Sequence, residues 1–211
     1  MFYIHAVVPD TYNILGVTLK PYCIGHYLLM MKYNCSVVNY DVNSVHDVAS
    51  DISDILLALS ICSRTYEEFI DYVNGYHYER SFFGFGGYTK VYDPSYFTRY
   101  NAKWGKALKK ACKNKDFNLL QHIEVFKRYM DDGCAEPSFA YDDNDNGDIS
   151  GSHWTQNILN VLTSECGYTH SEAINLPLTL AFADFYKFIE KNGGGRLISD
   201  KEKEIIKHGR N

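Results

Sequence analysis

Residues 48–74, VASDISDILLALSICSRTYEEFIDYVN, decide how the rest of the chain is read. Ile52, Ile55, Leu56, Leu59, Cys62, Tyr66, Phe69, Ile70 and Val73 recur every three or four residues, the period of one face of an α-helix. The spacing predicts one helix from Val48 to Asn74, stopped by Gly75, since glycine takes the left-handed conformation that closes helices. Upstream, Pro21 opens a second helical pattern that runs to about Tyr33 on Ile24, Leu28 and Met31, widened by Leu29. Before it, Phe2–Val8 and Ile14–Leu19 read as a strand pair hinged on Pro9–Asn13. Between the two helices, 36–43 is polar and β-branched.

Downstream, 76–100 is dense in glycine and aromatics, with Phe82-Phe83-Gly84-Phe85-Gly86-Gly87-Tyr88 at its centre, and reads as irregular. Helical patterns resume over Ala102–Cys112 and Asp116–Met130. Pro137–Gly151 is an acidic, Gly/Asn-rich loop. Trp154–Ser164 is helical again, with Ile158, Leu159 and Leu162 on one face. Thr169-His170-Ser171-Glu172 matches a capping box, in which hydroxyl and carboxyl satisfy each other's backbone N–H. The helix behind it reaches Asn192, and Pro177 requires a break near Asn175. Ser199-Asp200-Lys201-Glu202 repeats the cap ahead of a charged terminal helix. The fold class is therefore mainly α, a helical bundle-like domain with a small N-terminal β-hairpin. Three segments are expected: 1–136, the acidic loop 137–152 and the helical 153–211, packed as one domain.

Composition narrows function without naming it. With 211 residues, 45% hydrophobic and 22% charged, the chain is a normal globular length and balance, which excludes wholesale disorder. A net charge of −5 argues against global electrostatic binding to nucleic acid or acidic membranes, though a local basic face stays open. The oddity is aromatic: 15%, with Tyr 18 and Phe 12 against Trp 2, and tyrosine can cover surface as well as fill a core. Six dispersed cysteines without a C-x-x-C pair point to reduced thiols in a cytosol. No basic, apolar leader opens the chain and no apolar run is long enough to span a bilayer.

Candidate sites are few. Asp142, Asn144, Asn146 and Asp148, with Gly147 at the turn, match the first two-thirds of an EF-hand calcium loop. His153 stands where the bidentate glutamate belongs, so the competing reading is an exposed polar turn. Calcium is the one cofactor left open. Lys103, Lys106, Lys110 and Lys113 fall on one helical face, while Trp104, Leu108, Ala111 and Cys112 point elsewhere. Beside the aromatic loop, such a stripe with Trp104 could track phosphates and stack bases, but it also describes an ordinary solvated face. The eight histidines are scattered, and Cys23 with His26 lacks a nucleophile elbow or oxyanion hole, so no enzyme is expected.

Three stretches together carry a resemblance. They are Leu19-Lys20-Pro21-Tyr22-Cys23-Ile24-Gly25-His26-Tyr27-Leu28-Leu29-Met30, then Asp54 through Phe69, then Trp154 through Gly167-Tyr168, Glu172-Ala173 and Pro177-Leu178 to Ala181, Tyr186 and Glu190. This order resembles the small helical proteins encoded among bacteriophage tail genes, the tail assembly chaperone-like group, over about half the chain. The resemblance implies a non-catalytic protein of the host cytoplasm that binds the tape measure protein, keeps its apolar helices soluble and helps recruit tail tube subunits. It brings no catalytic residues. Tyr22, Tyr27, Met30, Met31, Phe83, Phe85 and Tyr88 are the expected partner contacts, with core packing the competing reading of the first four, and the chain departs from the group through its glycine/aromatic insert and acidic loop. The alternatives are a head–tail connector or completion protein of the virion, or a nucleic-acid-binding factor or enzyme. No membrane partner is expected, and an oligomer remains open.

Overall fold

The computed structural model describes residues 11–39, 48–80, 88–141 and 153–209. It divides the chain into two compact units: Thr11–Lys20 with Gly25–Tyr129, and Pro21–Ile24 with the residues from Met130 onward. The division therefore falls near Met130 and not at the acidic loop, and residues 21–24 go with the C-terminal part.

The first unit opens with a hairpin, β1 (Asn13–Ile14) against β2 (Val17–Thr18). Its two-residue turn, Leu15 (φ 53°) and Gly16 (φ 78°), has both residues left-handed, the geometry that matches strand twist. A turn at Leu15–Gly16 thus divides the expected strand Ile14–Leu19, while Phe2–Val8 and the start of the expected hinge, Pro9 and Asp10, lie outside the described residues. Helix α1 (Ile24–Lys32) starts three residues later than expected. A short 3-10 turn, Ser36–Asn39, leads towards α2 (Val48–Cys62). Ile52, Ile55, Ala58, Leu59, Ile61 and Cys62 of α2 are all buried, so this helix is the unit's centre.

The single helix expected over 48–74 is two. At Ser63–Thr65 the chain breaks and α3 (Tyr66–Val73) begins, because Thr65 and Glu68 form a full capping box. The Glu68 N–H donates to Thr65 Oγ1 at 3.2 Å and the Thr65 N–H to Glu68 Oε2 at 2.7 Å. Burial opposes ionisation of Glu68, but the Thr65 N–H and the Lys20 ammonium at 3.0 Å together hold its carboxyl below the usual range. Gly75 ends this region as expected, at φ +87°, and a side chain there would sit 2.8 Å from the Asp93 carbonyl oxygen. The stretch read as irregular is instead a second hairpin, β3 (Tyr76–Arg80) against β4 (Tyr88–Tyr92). Helices α4 (Tyr96–Ala111) and α5 (Leu119–Gly133) complete the unit, the last residues of α5 being counted with the second.

In the second unit β5 (Phe139–Tyr141) pairs antiparallel with β6 (Gly195–Leu197), so part of the supposed acidic loop is strand. Helices α6 (Trp154–Ser164), α7 (His170–Asn175), α8 (Leu178–Lys191) and α9 (Asp200–Gly209) follow. Both sequence-read caps are present: Thr169 with Glu172, and Ser199 with Glu202. Pro177 separates α7 from α8, as its ring and missing N–H require. Residues 21–24 join this unit through the backbone: Cys23 bridges Pro177, and the Leu178 N–H donates to the Tyr22 carbonyl at 2.7 Å. Gly133 lies under Tyr22, where a Cβ would come within 2.4 Å of the Tyr22 Cβ.

Candidate binding surfaces

The β3–β4 ribbon is where tyrosine reaches the surface. Its register pairs Tyr76 with Tyr92, Tyr78 with Lys90 and Arg80 with Tyr88. Paired residues share a face and alternate residues return to it, so Tyr76, Tyr78, Tyr88, Lys90 and Tyr92 lie together. Tyr76, Tyr78, Tyr88 and Tyr92 are 36, 50, 73 and 60% exposed. The other face holds His77, whose ring stacks flat on Tyr96 of α4 at 4.1 Å. The tyrosine face is also fastened. Asp71 of α3 accepts from the Tyr78 hydroxyl at 3.0 Å and pairs with Lys90 at 2.6 Å, and the Lys90 ammonium lies over the Tyr76 ring at 4.6 Å. The hydrogen bond from Lys90, backed by that from Tyr78, holds the Asp71 carboxyl below the usual range.

Behind the ribbon, Tyr96, Tyr100 and Trp104 recur every four residues along α4 and form a column with centroid spacings of 5.9 and 6.1 Å. Tyr72 of α3 meets this column edge-on, 5.1 Å from Phe97 and 6.0 Å from Tyr100. Its hydroxyl donates to Asn101 Oδ1 at 3.1 Å, and the Arg64 guanidinium lies 4.1 Å from its ring centroid. Burial pushes the Tyr72 hydroxyl up to about 12 despite that cation. Arg64 is held in turn by His26, whose Nε2 lies 2.7 Å from the Arg64 carbonyl. A carbonyl only accepts, so Nε2 carries the proton. Burial drives the His26 imidazole down to about 4 and keeps it neutral. A recess of about 40 Å³ lies between α2 and α4, lined by Leu56, Ser60, Arg64, Tyr100 and Trp104.

The lysines of α4 point the other way. Lys103, Lys106, Lys109 and Lys110 of the helix are exposed, as are Lys113 and Lys115 in the turn that follows it. Trp104 lies half-buried on the recess side, about 150° round the helix from their mean direction at 100° per residue, so the structure does not bring it to the lysines.

The N-terminal contact candidates divide. Tyr22 is 3% and Met30 0% exposed, which places both in the core and removes them as partner contacts. Their apolar spacing reports packing. Tyr27 is half-buried, while Met31 is 49% exposed. Tyr88 is the most open of the ribbon tyrosines. Phe83, Phe85 and the calcium-loop residues Asp142, Asn144, Asn146 and Asp148 lie outside the described residues. Among the described residues, no three His, Cys, Asp or Glu side chains gather as a metal site. Tyr76, Tyr78, Lys90, Tyr92 and Asp71 were missed by the sequence reading. Their signal was the alternation of tyrosines on either side of the glycine run.

The second unit has a recess of its own, about 130 Å³, between α6 and α8. Trp154, Ile158, Phe182, Phe185 and Tyr186 line it, and the Tyr186 hydroxyl donates to Glu136 Oε2 at 2.8 Å. No disulfide joins any of the six cysteines; Cys23, Cys35 and Cys62 are buried and Cys134 and Cys166 exposed. Among the described residues, no helix is long and apolar enough to cross a membrane. Comparison with family models, with curated proteins and with solved structures returned no match.

Proposed function

We propose that this chain is a non-catalytic binding protein of bacteriophage tail assembly, which holds the apolar helices of the tape measure protein in the host cytoplasm. The observation that carries this reading is the tyrosine face of the β3–β4 ribbon. Four rings stand exposed on one face, each with little rotamer freedom to lose, and two of them are anchored through Asp71 and Lys90. Tyrosine-rich, pre-positioned surfaces of this kind favour adaptable contact with protein partners, because ordering them costs little on binding. Apolar helix faces on a partner offer aliphatic side chains to the rings, while the hydroxyls remain in water. Exposed Met31 supports the same reading through its unbranched, polarisable side chain.

The test is co-expression with the longest tail gene neighbouring this one. A soluble complex that copurifies supports the reading. A partner equally insoluble with and without this chain overturns it.

A further inference from the structure

The lysine face of α4 has no part in that reading. We propose that it is a nucleic-acid binding face, on which Lys103, Lys106, Lys110 and Lys113 contact the phosphate backbone without reading sequence. Residues 94–115 hold seven of the 21 Lys and Arg residues and none of the 26 Asp and Glu. Arg99 is engaged by Asp93. The six lysines are exposed and, among the described residues, none forms an ion pair. Within α4, at about 1.5 Å of rise per residue, Lys103 to Lys110 covers about 10 Å, and Lys113 stands in the turn just past the helix end at Ala111. One strand of a duplex presents about three phosphates over that length, and the turn lysine adds a fourth contact. The chain's acidity elsewhere does not cancel the patch, since charges beyond about 10 Å are largely screened at 0.1 M salt.

The chemistry of the face selects the partner. A protein interface needs a desolvated apolar or aromatic centre. Between these lysines the exposed residues are only Ala102, Ala107 and Asn114. A membrane-surface helix needs an apolar face to bury. The aromatic and apolar face of α4 is already spent within the fold: Phe97 and Tyr100 pack on Tyr72, and Leu108 is 6% exposed. A phosphate backbone needs cations alone.

The probe is a fluorescein-labelled 20-base-pair duplex of arbitrary sequence, with one of its single strands alongside, followed by anisotropy from 50 to 200 mM salt. Four lysine contacts predict a log–log salt slope of about −3 to −4 on duplex, hence about 100-fold weaker binding across that range. The variant Lys103→Gln/Lys106→Gln/Lys110→Gln/Lys113→Gln is expected to lose at least 10-fold in affinity at 50 mM. A control with Lys187→Gln/Lys191→Gln/Lys201→Gln/Lys203→Gln removes the same charge from other exposed positions and keeps wild-type binding. Should the quadruple variant misfold, Lys106→Glu and Lys110→Glu made singly are each expected to weaken binding several-fold. No binding at 50 mM, equal loss in the control, or poly-glutamate or anionic vesicles competing as well as duplex at equal charge would each overturn the proposal.

Discussion

Acidification is expected to weaken the first unit through one residue, His26. It is 1% exposed, its imidazole is held neutral down to about 4, and its Nε2–H bond fastens the carbonyl of Arg64 at the break between α2 and α3. In the unfolded chain the same side chain titrates near its ordinary 6.5. Between those two values the unfolded state binds a proton that the folded state refuses, so stability falls as pH drops from 6.5 towards 4. At pH 4.5 the loss assignable to His26 is about 2 to 3 kcal/mol, a large share of a typical domain's stability, while at pH 7.5 it is close to nothing. The assay is urea unfolding in a Trp154→Phe background, so that fluorescence from Trp104 reports the first unit. His26→Gln keeps an N–H donor without the titration. It is expected to cost about 1 kcal/mol at pH 7.5 through a poorer hydrogen bond, yet to lose about 2 to 3 kcal/mol less than the parent between pH 7.5 and 4.5. Carboxylates that titrate in the same range act on both proteins and cancel in the comparison. Parallel losses in parent and variant would refute the reasoning.

Thr65→Ala removes the hydroxyl that caps α3 and is expected to cost about 1 kcal/mol, read by the same Trp104 unfolding curve. Gly75→Ala forces a side chain into a left-handed position, where the fold places carbonyl oxygen 2.8 Å from the new Cβ. It is expected to cost more than the ~1 kcal/mol of the backbone conformation alone and to weaken the β3–β4 ribbon, seen as faster amide exchange at Tyr76–Arg80. Titration of the native protein with a thiol reagent is expected to modify Cys134 and Cys166 first, and Cys23, Cys35 and Cys62 only on unfolding. Access decides the order: burial raises the Cys35 and Cys134 thiols alike, each to about 11, but Cys134 and Cys166 are exposed and the other three are buried.

What the sequence made legible was local. The caps at Thr169 and Ser199 and the break at Pro177 each depend on residues within four positions, and all stand where the pattern placed them. The break at Ser63–Thr65 was hidden because the apolar period of α2 carries through into α3. The Thr65–Glu68 capping pair was the signal against continuity, weaker to the eye than nine apolar residues in step. The ribbon was obscured by its own glycine run, which drew attention from the alternation of Tyr76 and Tyr78 with Tyr88, Lys90 and Tyr92. For Tyr22 and Met30 the sequence left partner contact and core packing open, because a helical stripe does not say which side is covered; burial decides for the core. The grouping of residues 21–24 with the C-terminal unit rests on backbone pairing between Cys23 and Pro177, across 150 residues of chain, and no local pattern announces it.

The account rests most heavily on the tyrosine face as the partner surface. Tyr88→Ser/Tyr92→Ser removes two rings that are 73 and 60% exposed and should leave the folded chain intact, as judged by circular dichroism and the Trp104 unfolding curve. In co-expression with the neighbouring longest tail gene, the parent is predicted to carry that product into the soluble fraction and the double variant to lose most of it. A double variant that folds and solubilises the partner as well as the parent would contradict the account.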